Sequence, residues 1–298
     1  MRTAVIGIGS NSLRMLVADI TDDRLNRLHR YRRGLRVFAA LDSAGNITPD
    51  MIQTACDSVK EFQVIANERG ASSVCLFATS AVRDAKNQVA FTQALQKATG
   101  LTLEVCSGEC EALLSFRGAA NAGQCGVIDI GGGSTEIVCG NMQNIEFSTS
   151  LQMGAVRLSR KISINTIDEA YHAVQAVKSI VKPCQDAVLS TNVANWIGVG
   201  GTFTTLAALV QRIPWDQKEL IHGFTLTKED IIAAMEHLAP MPISDRLELP
   251  YLQPQRADII VHGIAVLLAC MTELHISKIT VSEYGNLEGY LKTKYLSK

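Results

Sequence analysis

The 298-residue sequence lacks the features that mark membrane, exported and nucleic-acid-coating proteins. Its longest apolar run, residues 259–271, carries His262 and is too short to span a bilayer. No leader-type segment precedes the first apolar stretch, which predicts a soluble, cytoplasmic protein with no membrane partner. The net charge is −1, from 28 Lys and Arg against 29 Asp and Glu. Binding to nucleic acid through overall charge is therefore not expected.

Several motifs of known hydrolases are also missing. The sequence has no Gly-x-Ser-x-Gly elbow, no zinc-type histidine spacing and no Walker-type Gly-Lys-Ser/Thr. Its eight cysteines include no Cys-x-x-Cys, and the closest pair is Cys106 and Cys110. That pair would suit a metal if a second Cys or His pair followed, which it does not. Small buried residues in a reducing compartment are the alternative interpretation of the cysteines, and His262 is predicted to be a packed core residue.

Strand and helix patterns alternate along the whole chain, which predicts an α/β fold. A short internal repeat divides this pattern in two: residues 5–12 and 127–134 are identical at five of eight positions. Each copy reads as strand, tight glycine turn, strand, and such turns present backbone N–H groups that can surround a phosphate. The length fits two domains, and the small, polar residues 118–126 are the best boundary between them. We therefore predict two related domains, 1–120 and 121–298, facing across a phosphate-binding cleft, with packing of the last helix on the first domain left open.

Acidic residues lie where phosphoryl chemistry needs them. Asp129 ends a strand just before the second glycine turn, a suitable position for a Mg²⁺ ligand, and Glu136 lies on the strand after the turn. Glu109 and Glu111 begin a helix, where acidic residues are also favoured by the helix dipole. Helical spacing rotates Glu111 by about 200° from Glu109, so only one of the two can face a cleft.

The basic residues leave two interpretations open. Arg14 and Arg83 are candidates to neutralise phosphate, and surface ion pairs are the alternative. Six arginines lie between residues 24 and 36, a pattern typical of a solvated strand face and also compatible with a contact to a polyanion.

The motifs together resemble those of the exopolyphosphatase/guanosine pentaphosphate phosphatase family. The resemblance follows the family's order over nearly the whole chain, in these segments: 4–12 (AVIGIGSNS), 78–87 (ATSAVRDAKN), 107–112 (SGECEA), 127–136 (VIDIGGGSTE), 153–157 (MGAVR), 198–202 (GVGGT), 256–260 (RADII) and 280–285 (TVSEYG). It implies the actin-like ATPase-domain superfamily fold, with two ribonuclease-H-like α/β domains around a central cleft. The chain resembles the short, two-domain form of the family, and the resemblance further implies a homodimer.

The resemblance also implies roles for individual residues. Glu111, and not Glu109, matches the catalytic base, which would orient or deprotonate a water for in-line attack on the terminal phosphorus. Asp129 and Glu136 match acids of the metal site, with Mg²⁺ or another divalent cation as the cofactor. Residues matching the family's phosphate-contacting positions are Ser10, Asn11, Ser12, Arg14, Arg83, Gly131, Gly132, Gly133, Ser134, Gly200, Gly201 and Thr202.

The implied activity is release of terminal orthophosphate from inorganic polyphosphate, or of the 5′ γ-phosphate from guanosine pentaphosphate. Three positions depart from the family pattern: Gly7 stands where an Asp is usual, residues 36–40 differ, and Tyr251 replaces a Gly. Loss of the Asp removes one charge from the metal region, worth about 4 kcal/mol at 4 Å and an effective dielectric of 20. A non-catalytic polyphosphate- or alarmone-binding regulator on the same fold is therefore the alternative. A sugar or acetate kinase fits the Ser-Gly-x-x-Glu-Ala motif less well.

Overall fold

The structure is a computed structural model that describes residues 1–120 and 123–296. Its strands are β1 (Arg2–Ile8), β2 (Ser12–Ile20), β3 (Leu25–Gly34), β4 (Val74–Ala78), β5 (Leu103–Val105), β6 (Cys125–Ile130), β7 (Thr135–Gly140), β8 (Ile145–Leu151), β9 (Trp196–Val199), β10 (Thr225–Thr227) and β11 (Lys278–Ser282). Its α-helices are α1 (Pro49–Glu68), α2 (Ser80–Arg83), α3 (Gln88–Thr99), α4 (Gly108–Ala119), α5 (Ala155–Ser159), α6 (Ile167–Val181), α7 (Gln185–Ser190), α8 (Gly201–Gln211), α9 (Lys218–Ile221), α10 (Lys228–Leu238), α11 (Ile243–Leu247), α12 (Ile260–Glu273) and α13 (Asn286–Tyr295). Two 3₁₀ turns add Lys182–Cys184 and Pro254–Arg256.

The chain divides into two compact units. Unit 1 comprises Met1–Gly118 and Asn286–Lys298, and unit 2 comprises Ala119–Gly285. The predicted ranges 1–120 and 121–298 differ from this division mainly at the last helix, α13, which belongs to unit 1. The predicted boundary segment 118–126 includes residues 121 and 122, which lie outside the described residues.

The two units share one sheet plan, which confirms the predicted α/β class with two related halves. Unit 1 has the strand order β3-β2-β1-β4-β5, and unit 2 has β8-β7-β6-β9-β11 with β10 added at the edge. In each, the first two strands form an antiparallel hairpin, and the first strand also pairs in parallel with the strand that follows the next helical segment. The repeat seen over eight residues of sequence therefore extends to the topology of both sheets.

The core of unit 1 lies between its sheet and the helices on either face. Helix α1 begins with Pro49 after Thr48, and the side chains buried on it include Ala55, Val59, Phe62 and Ala66, which recur at helical spacing on one face. The other face of the sheet packs against α13, where Phe77 of β4 stacks on Tyr290 with ring centroids 5.0 Å apart. Both faces of β1 are thus covered, which explains its continuous apolar sequence.

The arginine-rich segment forms β3, the edge strand of unit 1, and its cations make several ion pairs. Glu288 of α13 is 1% exposed, and its Oε1 lies 3.4 Å from Arg27 Nη1 and 4.0 Å from Arg30 Nε. Arg33 pairs with Glu61 of α1. Part of the arginine run therefore anchors helices to the sheet, a role that neither sequence interpretation included.

Unit 2 has the larger apolar core, centred on α12. Twelve residues of α12 are buried, and the helix packs against α6 and α10. His262 is one of them: its Nε2 lies 3.0 Å from the carbonyl of Ile162, which confirms the predicted core histidine. Helix α10 begins with a capping box, in which Thr227 and Asp230 exchange hydrogen bonds. Within the described residues, none of the helices has both the length and the apolar character needed to cross a membrane.

Candidate functional site

The first glycine turn of unit 1 joins β1 to β2, and its side chains are buried. The Gly9 N–H donates to the Ser12 carbonyl at 3.0 Å, which closes the turn. Ser10, Asn11 and Ser12 are each at most 7% exposed. The Ser10 hydroxyl lies 2.7 Å from the hydroxyl of Ser80, the first residue of α2, so the turn is joined to the end of the neighbouring strand β4.

Helix α2 also positions the predicted base. Arg83, its last residue, donates from Nη1 to Glu111 Oε2 at 2.9 Å and to the carbonyl of Cys106 at 3.1 Å. Glu111 is 5% exposed, whereas Glu109 is exposed, so the helix presents one acidic residue to the interior and one to solvent, as the rotation argument predicted. Arg83 thus forms an ion pair with the candidate base.

Arg14 lies on β2 and is directed to the start of α13. Its Nη2 donates to Asn286 Oδ1 at 3.0 Å. In the β1–β2 hairpin the cross-strand partner of Arg14 is Gly7, and on the other side its partner is Arg32 of β3. The structure therefore places Arg14 in the same hairpin as the first turn.

In unit 2 the two predicted metal ligands face each other across a hairpin. Asp129 of β6 and Glu136 of β7 are direct cross-strand partners, so their side chains leave the same face of the sheet. They are 7% and 1% exposed, and Glu136 Oε1 accepts a hydrogen bond from Ser150 Oγ at 2.7 Å. Among the described residues, no group of three or more His, Cys, Asp or Glu side chains could hold a metal ion.

This pair of carboxylates fits a Mg²⁺ site of the kind that substrate completes. Magnesium is commonly bound by one or two carboxylates together with waters and substrate phosphates. Two buried carboxylates at neighbouring positions also repel one another unless a cation or a proton lies between them. Asp129 and Glu136 therefore have the donor chemistry and the placement for a divalent cation.

The glycine loop between these strands has the same closure as the first turn. The Gly131 N–H donates to the Ser134 carbonyl at 3.0 Å, matching the Gly9–Ser12 bond. The Ser134 hydroxyl is buried and has no hydrogen-bond partner among the described residues. An unpaired buried hydroxyl is costly, and it is available to a phosphate oxygen.

The segment Gly200–Thr202 follows β9 and packs against the end of β6. A Cβ at Gly200 would lie 3.0 Å from Asp129 Oδ1 and 2.8 Å from the Ile130 carbonyl, and its φ of +103° also favours glycine. Thr202 is 1% exposed and its Oγ1 is directed at Gly263 of α12. The segment therefore lies next to a predicted metal ligand.

Three side chains contact these sites without having been assigned a role from the sequence. The guanidinium of Arg256 covers Gly201 so closely that a Cβ there would be 1.8 Å from its Cζ. Arg157 donates from Nε to the Gly133 carbonyl at 2.6 Å, and Ser80 pairs with Ser10. Both arginines lie in segments that resemble family motifs, and this was the one sequence signal that could have identified them. Their contacts could not be predicted, because the partners are distant in sequence.

Two thiols close to Glu111 in sequence, those of Cys106 and Cys110, have pKa values shifted in opposite directions. A hydrogen bond between them lowers the pKa of Cys110 to about 7 and raises the pKa of Cys106. Cys110 is exposed and Cys106 is buried. The other six cysteines are buried or half-buried, in line with the interpretation of these residues as small packed side chains.

The comparisons with known proteins agree with the motifs. Residues 16–298 match the family model described as the Ppx/GppA phosphatase family. Exopolyphosphatase 2 of Mycobacterium tuberculosis is 32% identical over 309 aligned positions, which cover 97% of each chain. Among solved structures, an exopolyphosphatase from Cytophaga hutchinsonii superposes with a TM-score of 0.89 at 27% identity, over 99% of this chain and 98% of that one. The Aquifex aeolicus member of the Ppx/GppA family gives a TM-score of 0.84 at 28% identity, over 99% and 98% of the two chains.

Proposed function

Because the chain belongs to the Ppx/GppA phosphatase family, and so to the hydrolases, we propose that it releases terminal orthophosphate from a phosphoanhydride chain. The proposed substrates are inorganic polyphosphate and the 5′ γ-phosphate end of guanosine pentaphosphate. The observation that carries the proposal is the buried Glu111 carboxylate, whose Oε2 lies 2.9 Å from Arg83 Nη1. Arg83 ends α2, and Ser80 at the start of the same helix lies within hydrogen-bond distance of Ser10 in the first glycine turn. That arrangement supplies a base and phosphate donors from one connected set of residues.

In the proposed reaction, the Glu111 carboxylate accepts a hydrogen bond or a proton from a water molecule. The water oxygen attacks the terminal phosphorus in line, the bond to the bridging oxygen breaks, and orthophosphate leaves from a chain shortened by one phosphate. The proposed donors to phosphoryl oxygens are the backbone N–H groups and hydroxyls of Ser10–Ser12 in unit 1 and of Gly131–Ser134 in unit 2. Arg14 and Arg83 lower the repulsion between the anionic substrate and Glu111.

Asp129 and Glu136 are the residues that would hold Mg²⁺ in this proposal. A cation there would neutralise charge on the phosphate oxygens. Substitution of Asp129 by Asn removes one donor charge, so an Asp129→Asn variant should need a higher Mg²⁺ concentration for the same rate of phosphate release.

Phosphate release from long-chain polyphosphate and from guanosine pentaphosphate, with and without Mg²⁺, tests the proposal. A Glu111→Gln variant should lose activity by about 10²- to 10⁴-fold, the range for general acid–base groups. Glu109→Gln is the matched control, because Glu109 is exposed on the same helix two residues away, and it should retain the wild-type rate. Wild-type protein that releases no phosphate from either substrate would refute the hydrolase proposal.

One observation favours the alternative, a regulator that binds polyphosphate or an alarmone without turnover. At Gly7 there is no carboxylate, and the space that a Cβ would occupy is bounded by Phe77 and Leu287. Under this alternative, calorimetry detects binding of tripolyphosphate or guanosine pentaphosphate, and no phosphate appears. The phosphate-release assay on the same protein separates the two functions.

A further inference from the structure

A short segment after β8 holds three consecutive carbonyls of the glycine loop in unit 2. We name this segment, residues 153–157, the clasp. The Gly131 carbonyl accepts from the Ala155 N–H at 3.0 Å, and the Gly132 carbonyl accepts from the N–H groups of residues 156 and 157, both at 2.9 Å. The Gly133 carbonyl accepts from Arg157 Nε at 2.6 Å. The carbonyls of residues 131, 132 and 133 therefore all point toward the clasp.

The direction of the loop carbonyls determines the direction of its N–H groups. Within each trans peptide unit the C=O of one residue and the N–H of the next point in opposite directions. Holding the carbonyls of residues 131, 132 and 133 on the clasp therefore turns the N–H groups of Gly132, Gly133 and Ser134 away from it. Among the described residues these N–H groups donate to no backbone carbonyl. They form a row of donors of the kind that surrounds an anion.

Unit 1 has a corresponding arrangement, built differently at one position. There the segment that follows the third strand, β3, also binds its loop: the Phe38 N–H donates to the Ser10 carbonyl at 3.0 Å. The Asn11 carbonyl accepts two backbone N–H groups, from Leu35 at 3.1 Å and Arg36 at 3.0 Å. In the repeat, Asn11 corresponds to Gly133, whose carbonyl is held by the Arg157 side chain. A side chain in unit 2 thus replaces backbone donors of unit 1.

The clasp lies in direct backbone contact with the loop. A Cβ at Gly154 would be 2.6 Å from the carbonyl carbon of Gly132, so no side chain fits between the two segments. Thr135 Oγ1 also donates to the Met153 carbonyl at 2.6 Å. Arg157 is itself held, since its Nη2 donates to Gln152 Oε1 at 2.9 Å. Hydrogen bonds to the Gly133 carbonyl and to the Gln152 side chain therefore hold the Arg157 guanidinium in place.

We propose that Arg157 is a positioning residue, which fixes the Gly133–Ser134 peptide so that the Ser134 N–H is directed at a substrate phosphate oxygen. This inference rests on the proposed function, because it assigns the loop to phosphate. A charge-assisted hydrogen bond from Arg157 also polarises the peptide, which strengthens its N–H as a donor. Hydrogen-bond donors that are already oriented before the reaction begins stabilise the charge that develops in the transition state.

The experiment compares Arg157→Ala and Arg157→Lys with Lys161→Ala, an exposed cation in the following turn, as the control. Rates on long-chain polyphosphate give kcat and KM, and melting temperatures check folding. Loss of a hydrogen bond to a charged group predicts a fall of about 10- to 100-fold in kcat/KM for Arg157→Ala, mainly in kcat. Arg157→Lys should recover part of the loss, and the control should match wild type.

A second measurement keeps this inference separate from the proposed function. Tripolyphosphate binding is measured by calorimetry in the Glu111→Gln background, with and without Arg157→Ala. If wild type has no activity, the hydrolase proposal fails, and weaker tripolyphosphate binding without Arg157 still supports the positioning role. A folded Arg157→Ala protein that keeps both kcat/KM and tripolyphosphate affinity within twofold of its parent overturns it. So does a Glu111→Gln protein that binds no tripolyphosphate. If Arg157→Ala does not fold, an unchanged kcat in Arg157→Lys overturns it.

Discussion

The packing around Gly7 of β1 predicts how much a larger side chain at this position would destabilise the protein. An added Cβ would lie 2.9 Å from Phe77 Cζ and 3.1 Å from Leu287 Cδ2. Phe77 is fully buried and stacked on Tyr290, so its ring cannot move aside without disturbing the core. Overpacking of this kind costs about 1–3 kcal/mol. We therefore expect Gly7→Ala to lower the free energy of unfolding by that amount.

A double-mutant cycle isolates the steric cause. Phe77→Leu removes the ring atoms nearest to Gly7 and should by itself cost about 1–3 kcal/mol through loss of buried volume. In the double variant the new methyl group occupies part of the vacated space. The free-energy losses of Gly7→Ala and Phe77→Leu, added together, should therefore exceed the loss measured for the double variant by at least about 1 kcal/mol.

The assay is urea unfolding followed by circular dichroism, with hydrogen exchange of peptides that cover β1. The local readout is needed because both tryptophans, Trp196 and Trp215, lie in unit 2, so their fluorescence does not report on unit 1. A cost below about 0.5 kcal/mol for Gly7→Ala, or strict additivity in the cycle, would refute the packing argument.

The same geometry changes the meaning of a Gly7→Asp experiment. Restoring the family's usual Asp adds a carboxylate, and it also directs a charged group toward Phe77 and Leu287. We expect Gly7→Asp to destabilise unit 1 more than Gly7→Ala, because desolvation of a buried carboxylate adds to the steric cost and the cross-strand Arg14 offsets only part of it. A change in Mg²⁺ dependence should therefore be compared in the Phe77→Leu background, where space for the side chain exists.

Two further predictions follow from the pKa shifts. Because its pKa is lowered to about 7, Cys110 should react with iodoacetamide half-maximally near pH 7, ahead of the other cysteines, and Cys106→Ala should move that midpoint toward about 8.5. Mass spectrometry of the alkylated peptides measures this, and equal labelling of buried cysteines would contradict it. Burial lowers the pKa of His262, opposed by the Ile162 carbonyl and Asp258 and assisted by Arg246. The unfolded chain then binds the proton more readily, so this stability is present above about pH 6.5 and lost as the pH falls below it. His262→Gln should flatten the fall in unfolding free energy between pH 7.5 and 5.5, and an unchanged slope would contradict the assignment.

Much of the local structure could be predicted from the sequence. The two glycine hairpins, the capping box at Thr227 and the separation of Glu109 from Glu111 all depend on residues within a few positions of each other. Turn closure, helix capping and helical rotation are short-range effects, so residue type and spacing are sufficient to specify them. The repeat then extended this local information to the plan of both sheets.

The contacts that shape the candidate site could not be predicted in the same way. Arg83 and Glu111 are 28 residues apart, and Arg157 reaches a carbonyl 24 residues away. Glu288 pairs with Arg27 across 261 residues. A charged side chain near an opposite charge in sequence often makes no ion pair, and one far away does so when packing brings the two together. From sequence alone, Arg83 was equally compatible with phosphate contact and with a surface ion pair, and Arg157 had no assigned role.

The sequence by itself determined the candidate site residues: a buried strand, a glycine turn and a nearby carboxylate, repeated in two halves of one chain. The tertiary structure decided what holds them. It assigned α13 to unit 1, filled the space at Gly7 with an aromatic ring, and placed Arg157 on the carbonyl of Gly133. The physical reason is that alternation and turn residues are encoded locally, whereas the direction of a peptide N–H depends on what binds the carbonyl behind it.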